Sequence, residues 1–183
     1  MTGVQTCALP IFCRANPSLG ATVNVTGTVN VFEAARHHGV RQVSHASSIA
    51  VFGKASDYGT RVLPADAPRL PSTLYGAYKV AGEDLAKVYW ADHGVRSVGL
   101  RPHTVFGPGR DQGMTSLPSV AIEQAVRGQA FHVEFGGTLD FQYAPDVAAG
   151  LMPRLKRNSA MSPTTLLLGV TFTMSPKSWF TSA

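Results

Sequence analysis

The fold class follows from residues 74–100, which read LYGAYKVAGEDLAKVYWADHGVRSVGL. Four residues recur on one face of this stretch at helical spacing: Tyr78, Gly82, Leu85 and Tyr89. The spacing predicts a helix from Leu74 to His93. Gly94 is expected to end that helix, because glycine readily adopts the left-handed conformation that follows many helices. Val95 to Leu100 then predicts a strand, so the stretch forms the second half of a strand–helix–strand unit.

The same alternation continues upstream of this stretch. Thr22 to His38 predicts another helix, again followed by a glycine, Gly39. Its apolar positions are Val25, Val29 and Phe32, with Ala34 and Ala35 in the next turn. Val40 to Ala46 predicts a short strand that ends in Ser47 and Ser48. These hydroxyls therefore lie at the carboxyl end of a strand, where open α/β sheets bind ligands.

Downstream, the sequence predicts a loop over 102–113, a helix over 117–127, and short strands over 131–135 and 139–143. Asp146 is expected to cap a helix through Leu155, with a kink at Pro153, and one further strand is expected over 166–172. Strands separated by helices form βαβ units with a parallel sheet. The predicted fold class is therefore α/β.

Composition and charge exclude several classes of protein. The chain has 183 residues and two cysteines, so it is no disulfide scaffold, and it has no apolar run of membrane-spanning length. Residues 1–146 hold 12 basic and 11 acidic residues, whereas residues 147–183 hold four basic residues and no acid. The net charge of +5 is therefore concentrated in a tail, and no nucleic-acid partner is expected. The histidines and cysteines show no metal-ligand spacing, so no metal is expected.

The two ends of the chain differ from the middle. Residues 1–11 lack both periodicity and the basic region of a signal peptide, and they resemble a translated sequencing adapter. We interpret them as a non-native leader. Residues 158–183 contain clusters of Ser, Thr, Met and Pro without an acidic residue, and we interpret them as an irregular, truncated tail.

Tyr75 and Lys79 carry the strongest chemical signal of the sequence. They are four residues apart on the predicted helix, so their side chains share one face. A free phenol titrates at about 10, and a neighbouring ammonium lowers that pKa toward a value that suits acid/base catalysis. Taken alone, the pair fits equally a half-buried tyrosine beside a solvated lysine.

Four further motifs accompany this pair, in the order Asn24–Asn30, His45–Gly53, Leu100–Gly109 and Asp140–Val147. Together with residues 75–79, they resemble the extended short-chain dehydrogenase/reductases, that is, the NAD-dependent epimerase/dehydratase family. The resemblance covers roughly Pro17 to Leu155. Five motifs in one order make it far more specific than any single motif.

The resemblance implies a partial Rossmann-like, doubly wound parallel sheet. Residues 12–113 correspond to the C-terminal half of the dinucleotide-binding domain and residues 114–157 to part of a small substrate-binding region. The family's cofactor is NAD or NADP, and its chemistry is hydride transfer at a carbinol or carbonyl carbon of a sugar-like small molecule, which in many members is a sugar nucleotide. Members commonly form homodimers through helices that correspond to residues 22–38 and 74–93, and a cytoplasmic location is expected.

The resemblance also assigns roles to individual residues. Tyr75 is the expected acid/base, and Lys79 is expected to hold the nicotinamide ribose and to lower the pKa of Tyr75. Ser48 is expected to bind the reacting oxygen of the substrate. The catalytic set is Asn24, Ser48, Tyr75 and Lys79; the cofactor set is Asn24, Ala46, Tyr75, Lys79, Pro102 and His103; the substrate set is Ser48, Thr104 and Arg110.

Two departures from the family pattern concern the substrate. Members that act on nucleotide sugars usually carry Asn at the position of Thr104 and Arg at the position of Leu139. Leucine lacks the guanidinium group with which an arginine would form charged hydrogen bonds to a diphosphate. Arg110 is the residue that could substitute for it, and an ordinary solvated loop arginine is an equal alternative. A substrate other than a sugar nucleotide is therefore a real alternative.

A third departure concerns the cofactor. The residues before Asn24 hold no glycine-rich phosphate loop, and Gly107 to Gly113 has spacing one residue too long for that fingerprint. The chain is therefore expected to be a fragment without measurable cofactor binding. Two alternatives to an active oxidoreductase stay open, namely an inactive cofactor-free fragment and a non-catalytic sensor that binds NAD(P).

Overall fold

The computed structural model of the protein describes residues 10–59, 63–64, 66–133, 137–152, 164–167 and 171–174. The α-helices in these ranges are α1 (Pro10–Ala15), α2 (Pro17–Ala21), α3 (Gly27–His37), α4 (Leu74–His93), α5 (Leu117–Val126) and α6 (Ala144–Leu151). The strands are β1 (Gln42–Ala46), β2 (Arg96–Arg101), β3 (Thr104–Phe106), β4 (Gly137–Tyr143), β5 (Thr164–Leu167) and β6 (Thr171–Met174). A π-helix over Thr22–Thr26 joins α2 to α3, and short 3₁₀ turns cover Ile49–Val51, Ala55–Asp57 and Met114–Ser116.

These residues form two compact units. The first contains the described residues of Met1–Arg101 and Leu151–Leu167, and the second those of Pro102–Gly150 and Leu168–Ala183. In the first unit, β1 and β5 both lie parallel to the central β2. Gln42 pairs with Arg96 and Ala46 with Leu100, so α4 is the crossover between two parallel neighbours. This arrangement confirms the predicted α/β class.

The core of the first unit lies between its helices and its sheet. Its buried members come from α3, β1, α4 and the residue directly before β2: Phe32, Ala35, Val43, Ala86, Tyr89 and Val95. Phe32 and Tyr89 stack with their ring centroids 5.0 Å apart, which joins α3 to α4. The apolar periodicity of both helices is therefore used to cover one face of the parallel strands.

Helix α4 has the predicted bounds, and both of its ends are capped. The Thr73 hydroxyl accepts a hydrogen bond from the Gly76 amide at 3.0 Å, and Gly94 adopts a left-handed φ of +66°. The buried face includes Gly82 and Tyr89 as predicted, but Glu83 is also buried there. The helix thus carries a charged residue on the side that faces the protein interior.

The second unit contains a small mixed sheet. Strand β3 pairs parallel to β4, with Thr104 opposite Phe141, and β6 pairs antiparallel to β4. The Phe106 ring contacts the Phe141 and Tyr143 rings, with centroids 6.2 Å and 5.6 Å apart. Ser119 of α5 accepts a hydrogen bond from the Gly107 amide at 3.1 Å, which fixes the loop after β3.

Several sequence predictions downstream of β2 are wrong in detail. Residues 131–133 lie in no strand, because the described residues give this exposed segment no neighbouring strand to pair with, and 134–136 fall outside the described residues. The predicted loop over 102–113 contains β3, which forms because β4 supplies its partner. Helix α6 begins at Ala144, before Asp146, and the predicted kink at Pro153 lies outside the described residues. Two strands, β5 and β6, replace the single strand predicted over 166–172, because they pair with different sheets.

Candidate active site

Tyr75 and Lys79 lie one turn apart at the start of α4, as their spacing predicted. Tyr75 is 8% exposed and packs against the buried Cys13 of α1. The Lys79 ammonium lies 5.5 Å from the centroid of the Tyr75 ring and donates a hydrogen bond to the Ala46 carbonyl at 2.9 Å. The lysine thus connects the tyrosine on α4 to the carboxyl end of β1. This contact favours the catalytic interpretation over a solvated lysine.

Ser48 lies two residues beyond the end of β1. Its backbone is extended, and its hydroxyl accepts a hydrogen bond from the Ala50 amide at 3.2 Å, which caps the 3₁₀ turn over Ile49–Val51. The hydroxyl can still donate its own proton to an acceptor, since a serine oxygen carries one donor and two acceptor sites. Ser48 therefore has the hydrogen-bonding capacity that a substrate oxygen would require.

Gly76 permits α4 to approach this turn closely. A Cβ atom on Gly76 would lie 2.1 Å from the Ala50 carbonyl oxygen and 3.0 Å from Pro71 Cβ. Only a residue without a side chain fits between α4 and the Ile49–Val51 turn. The glycine that directly follows Tyr75 therefore brings the Ser48 segment close to the helix that carries Tyr75 and Lys79.

A buried ion pair joins α4 to the ends of β1 and β2. Arg101 donates two hydrogen bonds to the Glu83 carboxylate, each at 2.7 Å, and the Ser47 hydroxyl donates a third at 2.6 Å. The Arg101 guanidinium also lies 4.9 Å above the Phe52 ring. Burial raises the pKa of Glu83, but the hydrogen bonds from Arg101 and Ser47 and the guanidinium charges outweigh burial and leave that pKa lowered. Glu83 is therefore ionised at neutral pH.

The sequence offered only a weak signal for this pair. Glu83 and Arg101 are 18 residues apart, and charged residues in a helix or at a strand end are usually solvated. The helical spacing from Lys79 to Glu83, combined with a buried face, is the one cue that the sequence contains.

His45 on β1 is held in an apolar environment. Its ring contacts Phe32 edge-on, with the centroids 6.1 Å apart, and neither of its buried ring nitrogens has a hydrogen-bond partner among the residues that the structure describes. A Cβ atom on Gly99, its neighbour on β2, would lie 2.9 Å from the ring. Burial lowers the pKa of His45 to about 4, with the Glu83 charge opposing the shift and the Lys79 charge adding to it. The imidazole is therefore neutral at physiological pH.

Asn24 lies in the π-helix and is buried. Its amide donates a hydrogen bond to the Gly20 carbonyl at 2.9 Å and lies 3.7 Å from Cys13 Sγ. The Thr28 hydroxyl in turn donates to the Asn24 carbonyl at 2.6 Å. These contacts organise the helical segment itself, and a role for Asn24 toward the cofactor remains a prediction.

The other predicted site residues belong to the second unit, and they include Pro102. The His103 amide donates to the Gln142 side chain at 3.1 Å, and His103 Nε2 lies 4.0 Å from an Asp140 carboxylate oxygen. Burial lowers the pKa of His103, and the Asp140 charge opposes that shift. Thr104 is buried on β3, where it pairs with β4.

Arg110 is held within its own loop. Its guanidinium donates to the Gln112 carbonyl and, at 2.9 Å, to the Thr115 hydroxyl. Leu139, at the position where nucleotide-sugar enzymes carry arginine, lies on β4 and is partly buried. Neither residue shows a contact that would identify a diphosphate site.

The donors at the carboxyl end of β1 fit the cofactor that the motifs imply. A ribose offers vicinal hydroxyls, and the first unit presents an ammonium, a serine hydroxyl and the exposed end of a strand at Ala46. Lys79 and Ala46 are the residues of this unit that would hold the nicotinamide ribose and ring. No group of three or more potential metal ligands occurs among the described residues.

These features place the chain among Rossmann-like α/β folds with a Tyr–Lys pair at the carboxyl end of a parallel strand. Residues 12–169 match the model of the NAD dependent epimerase/dehydratase family. The chain belongs to this family. Its fold class and the resemblance of its five motifs are thereby confirmed.

Several relatives illustrate the range of the family. UDP-glucose 4-epimerase of Mycolicibacterium smegmatis is 35% identical over 136 residues, which are 72% of this chain and 42% of that protein. Uronate dehydrogenase of Pseudomonas syringae pv. tomato is 38% identical over 98 residues, 54% of this chain and 34% of that protein. The L-threonine dehydrogenase structure from Phytophthora infestans superposes with a TM-score of 0.78 and 29% identity, covering 92% of this chain and 55% of that one. The chain thus spans less than half the length of the two curated relatives. Among the described residues, no helix combines the length and apolar character that a membrane span requires.

Proposed function

We propose that this chain carries the acid/base half of an NAD(P)-dependent oxidoreductase, which transfers hydride at a carbinol or carbonyl carbon of a sugar-like substrate. The observation that supports this most directly is the hydrogen bond from Lys79 to the Ala46 carbonyl, with Tyr75 beside the lysine. This hydrogen bond places the Tyr75 phenol and the Lys79 ammonium beside the end of a parallel strand, within one compact unit. An ordinary structural tyrosine and lysine would not need this arrangement.

The residues of this chain divide the proton chemistry between them. Ser48 would donate a hydrogen bond to the reacting oxygen and orient it. Tyr75 would take the hydroxyl proton of the substrate on its phenolate oxygen as the carbon loses hydride, and return a proton in the reverse direction. The positive charge of Lys79 would favour the phenolate. When bound, the nicotinamide supplies the hydride acceptor or donor.

For the substrate, we propose a sugar-like polyol or uronate rather than a sugar nucleotide. Leu139 offers no charge to a diphosphate, and Arg110 is engaged by Gln112 and Thr115. One relative is named for a nucleotide sugar and another for a uronate, so the family accommodates both classes. A free sugar acid or polyol would need side chains that hydrogen-bond its hydroxyl groups, but no cationic site for a diphosphate.

We further propose that the protein forms a homodimer through α3 and α4 and acts in the cytoplasm. Val31 on α3 and Val88 on α4 are 54% and 53% exposed, and an apolar residue on each helix suits a four-helix contact between two copies. The low cysteine content suits a reducing compartment.

The test compares the 183-residue chain with the protein encoded by the full reading frame that contains it. Binding of NAD and NADP would be followed by nicotinamide fluorescence. Turnover would be followed by absorbance of the reduced cofactor with glucuronate, galacturonate and L-threonine. With UDP-glucose it would be followed by chromatography of the sugar nucleotide, because an epimerisation returns the hydride and leaves no net reduced cofactor. In whichever protein turns over, Tyr75→Phe is expected to lower kcat by about 10²–10⁴-fold, because a positioned acid/base contributes that factor. Tyr143→Phe, at an exposed tyrosine of the second unit, is the matched control and should retain wild-type kcat.

Three outcomes would contradict the proposal in whole or in part. Full turnover in a folded Tyr75→Phe protein would exclude Tyr75 as the acid/base. Cofactor binding without turnover on any substrate class would instead favour a non-catalytic sensor. Turnover confined to UDP-glucose would refute the proposed substrate class and leave the role of Tyr75 intact.

A further inference from the structure

The buried Glu83 carboxylate connects three segments that each carry a candidate site residue. Glu83 follows Lys79 by one helical turn on α4, and Ser47 directly precedes Ser48. Arg101 ends β2 and directly precedes Pro102. One side chain therefore joins α4, the end of β1 and the end of β2.

The carboxylate is unavailable to a ligand. The Glu83 side chain is 2% exposed and that of Arg101 is 6% exposed. Two hydrogen bonds from Arg101, one from Ser47 and a longer one of 3.4 Å from Arg69 occupy the two carboxylate oxygens. Any contribution of Glu83 to chemistry must therefore be made through the segments that it holds.

A gain in folding stability does not by itself explain why such a pair is buried. Two charges lose their hydration when they are buried, and this cost cancels much of their attraction, so apolar residues of similar volume often stabilise a protein equally well. A bidentate arginine–carboxylate pair does, however, fix direction as well as distance. By contrast, Glu123 and Arg127 form an exposed pair four residues apart within the single helix α5.

Two parallel hydrogen bonds link α4 to consecutive residues at the end of β1. Lys79 donates to the Ala46 carbonyl at 2.9 Å, and one turn later Glu83 accepts from the Ser47 hydroxyl at 2.6 Å. We infer that Glu83, with Arg101 as its counter-ion, is a positioning residue that fixes the end of β1 against α4. It thereby sets where Lys79 lies relative to Tyr75. The inference rests on the proposed roles of Tyr75 and Lys79.

The pKa of Tyr75, measured on the 183-residue chain, tests this inference without substrate or cofactor. If Lys79 is positioned through the Ser47–Glu83 link, Ser47→Ala should raise the pKa of Tyr75 by about half a pH unit or more, since a close opposite charge shifts a pKa by about 1–3 units. The charge-neutral double variant Glu83→Met/Arg101→Met should raise it as well. A purely through-space effect of the Glu83 charge predicts no shift in Ser47→Ala, because that variant removes no charge.

Each titration would be recorded as the difference spectrum between a variant and its Tyr75→Phe counterpart, because the chain has five tyrosines. Ser47→Thr keeps the hydroxyl and should restore the wild-type value. Glu123→Gln, which removes an exposed carboxylate paired with Arg127 on α5, is the control and should leave the titration unchanged. Hydrogen exchange over residues 46–52 should accelerate in Ser47→Ala and not in Glu123→Gln.

An unchanged Tyr75 pKa in a folded Ser47→Ala protein would overturn the inference, whether or not the double variant folds. So would a Tyr75 pKa that falls in both Ser47→Ala and the double variant. If the Tyr75 pKa rises as expected but no turnover is found, the positioning role stands and the proposed reaction fails. If turnover depends on Tyr75 but Ser47→Ala leaves the Tyr75 pKa unchanged, the proposed reaction stands and the positioning role of Glu83 fails.

Discussion

The replacement of Gly76 by alanine tests the close approach of α4 to the turn after Ser48. A Cβ atom at this position would lie 2.1 Å from the Ala50 carbonyl oxygen, about 1.3 Å inside the 3.4 Å at which ordinary contact begins. The obstacle is backbone, so no side-chain rotation relieves it. Either α4 or the Ile49–Val51 turn must move.

The magnitude follows from two opposing effects. Alanine is favoured over glycine in a helix by up to about 1 kcal/mol. Overpacking typically costs about 1–3 kcal/mol, and a backbone obstacle places this site at the upper end. Gly76→Ala is therefore expected to lower the free energy of unfolding by about 2 kcal/mol. Gly82→Ala on the same helix is the matched control. Its new Cβ would lie 3.8 Å from Thr28, so it should raise stability by about 0.5–1 kcal/mol.

Urea unfolding of the 183-residue chain, followed by far-ultraviolet circular dichroism, measures both variants. The two substitutions have the same chemistry and should shift stability in opposite directions, by about 3 kcal/mol relative to each other. A Gly76→Ala protein at least as stable as Gly82→Ala would refute the steric reasoning. A loss of stability in both variants would show that the space beside Gly82 is also constrained.

Three further predictions concern the start of α4 and the interior of the first unit. Thr73→Ala removes the cap on the Gly76 amide and should lower the free energy of unfolding by about 1 kcal/mol, whereas Thr73→Ser should not; urea unfolding checks both. The folded pKa of His45 lies near 4, below its ordinary value of 6.5, so the unfolded chain binds a proton in this window and the folded chain does not. Stability should therefore fall by up to about 3 kcal/mol as pH drops from 6.5 to 4, and His45→Gln should reduce that loss; unfolding curves across this range would show whether it does. Gly99→Ala, whose Cβ would lie 2.9 Å from the His45 ring, should destabilise the protein, and His45→Ala in the same chain should recover part of the loss; a double-mutant cycle that shows simple additivity would contradict this contact.

Local sequence signals predicted the elements whose causes are local. Helix α4 has its predicted bounds because its stripe and Gly94 lie within one continuous segment. Strands β1 and β2 lie within two residues of their predicted ends. The pairing of Tyr75 with Lys79 on one face likewise needs only helical geometry.

Features that depend on distant partners were not predictable in the same way. Strand β3 is three residues long and exists because β4 runs beside it. The Glu83–Arg101 pair joins residues that have no local reason to be buried. The role of Gly76 depends on the position of Ala50, 26 residues earlier in the numbering. In each case, the deciding neighbour is brought close only by the fold.

The π-helix around Asn24 constrains how this segment tolerates changes in length. The Gly27 amide bonds to the Thr22 carbonyl five residues earlier, so this turn accommodates one residue more than a regular α-helical turn. Deletion of a single residue there would remove the extra residue and let α2 and α3 continue as one regular helix. Asn24 would then leave its place beside Cys13. A codon deletion between Thr22 and Thr26 should therefore disturb the contact between Asn24 and Cys13 but keep α2 and α3 in register, whereas a deletion within α3 would rotate the two parts of that helix by about 100° relative to each other.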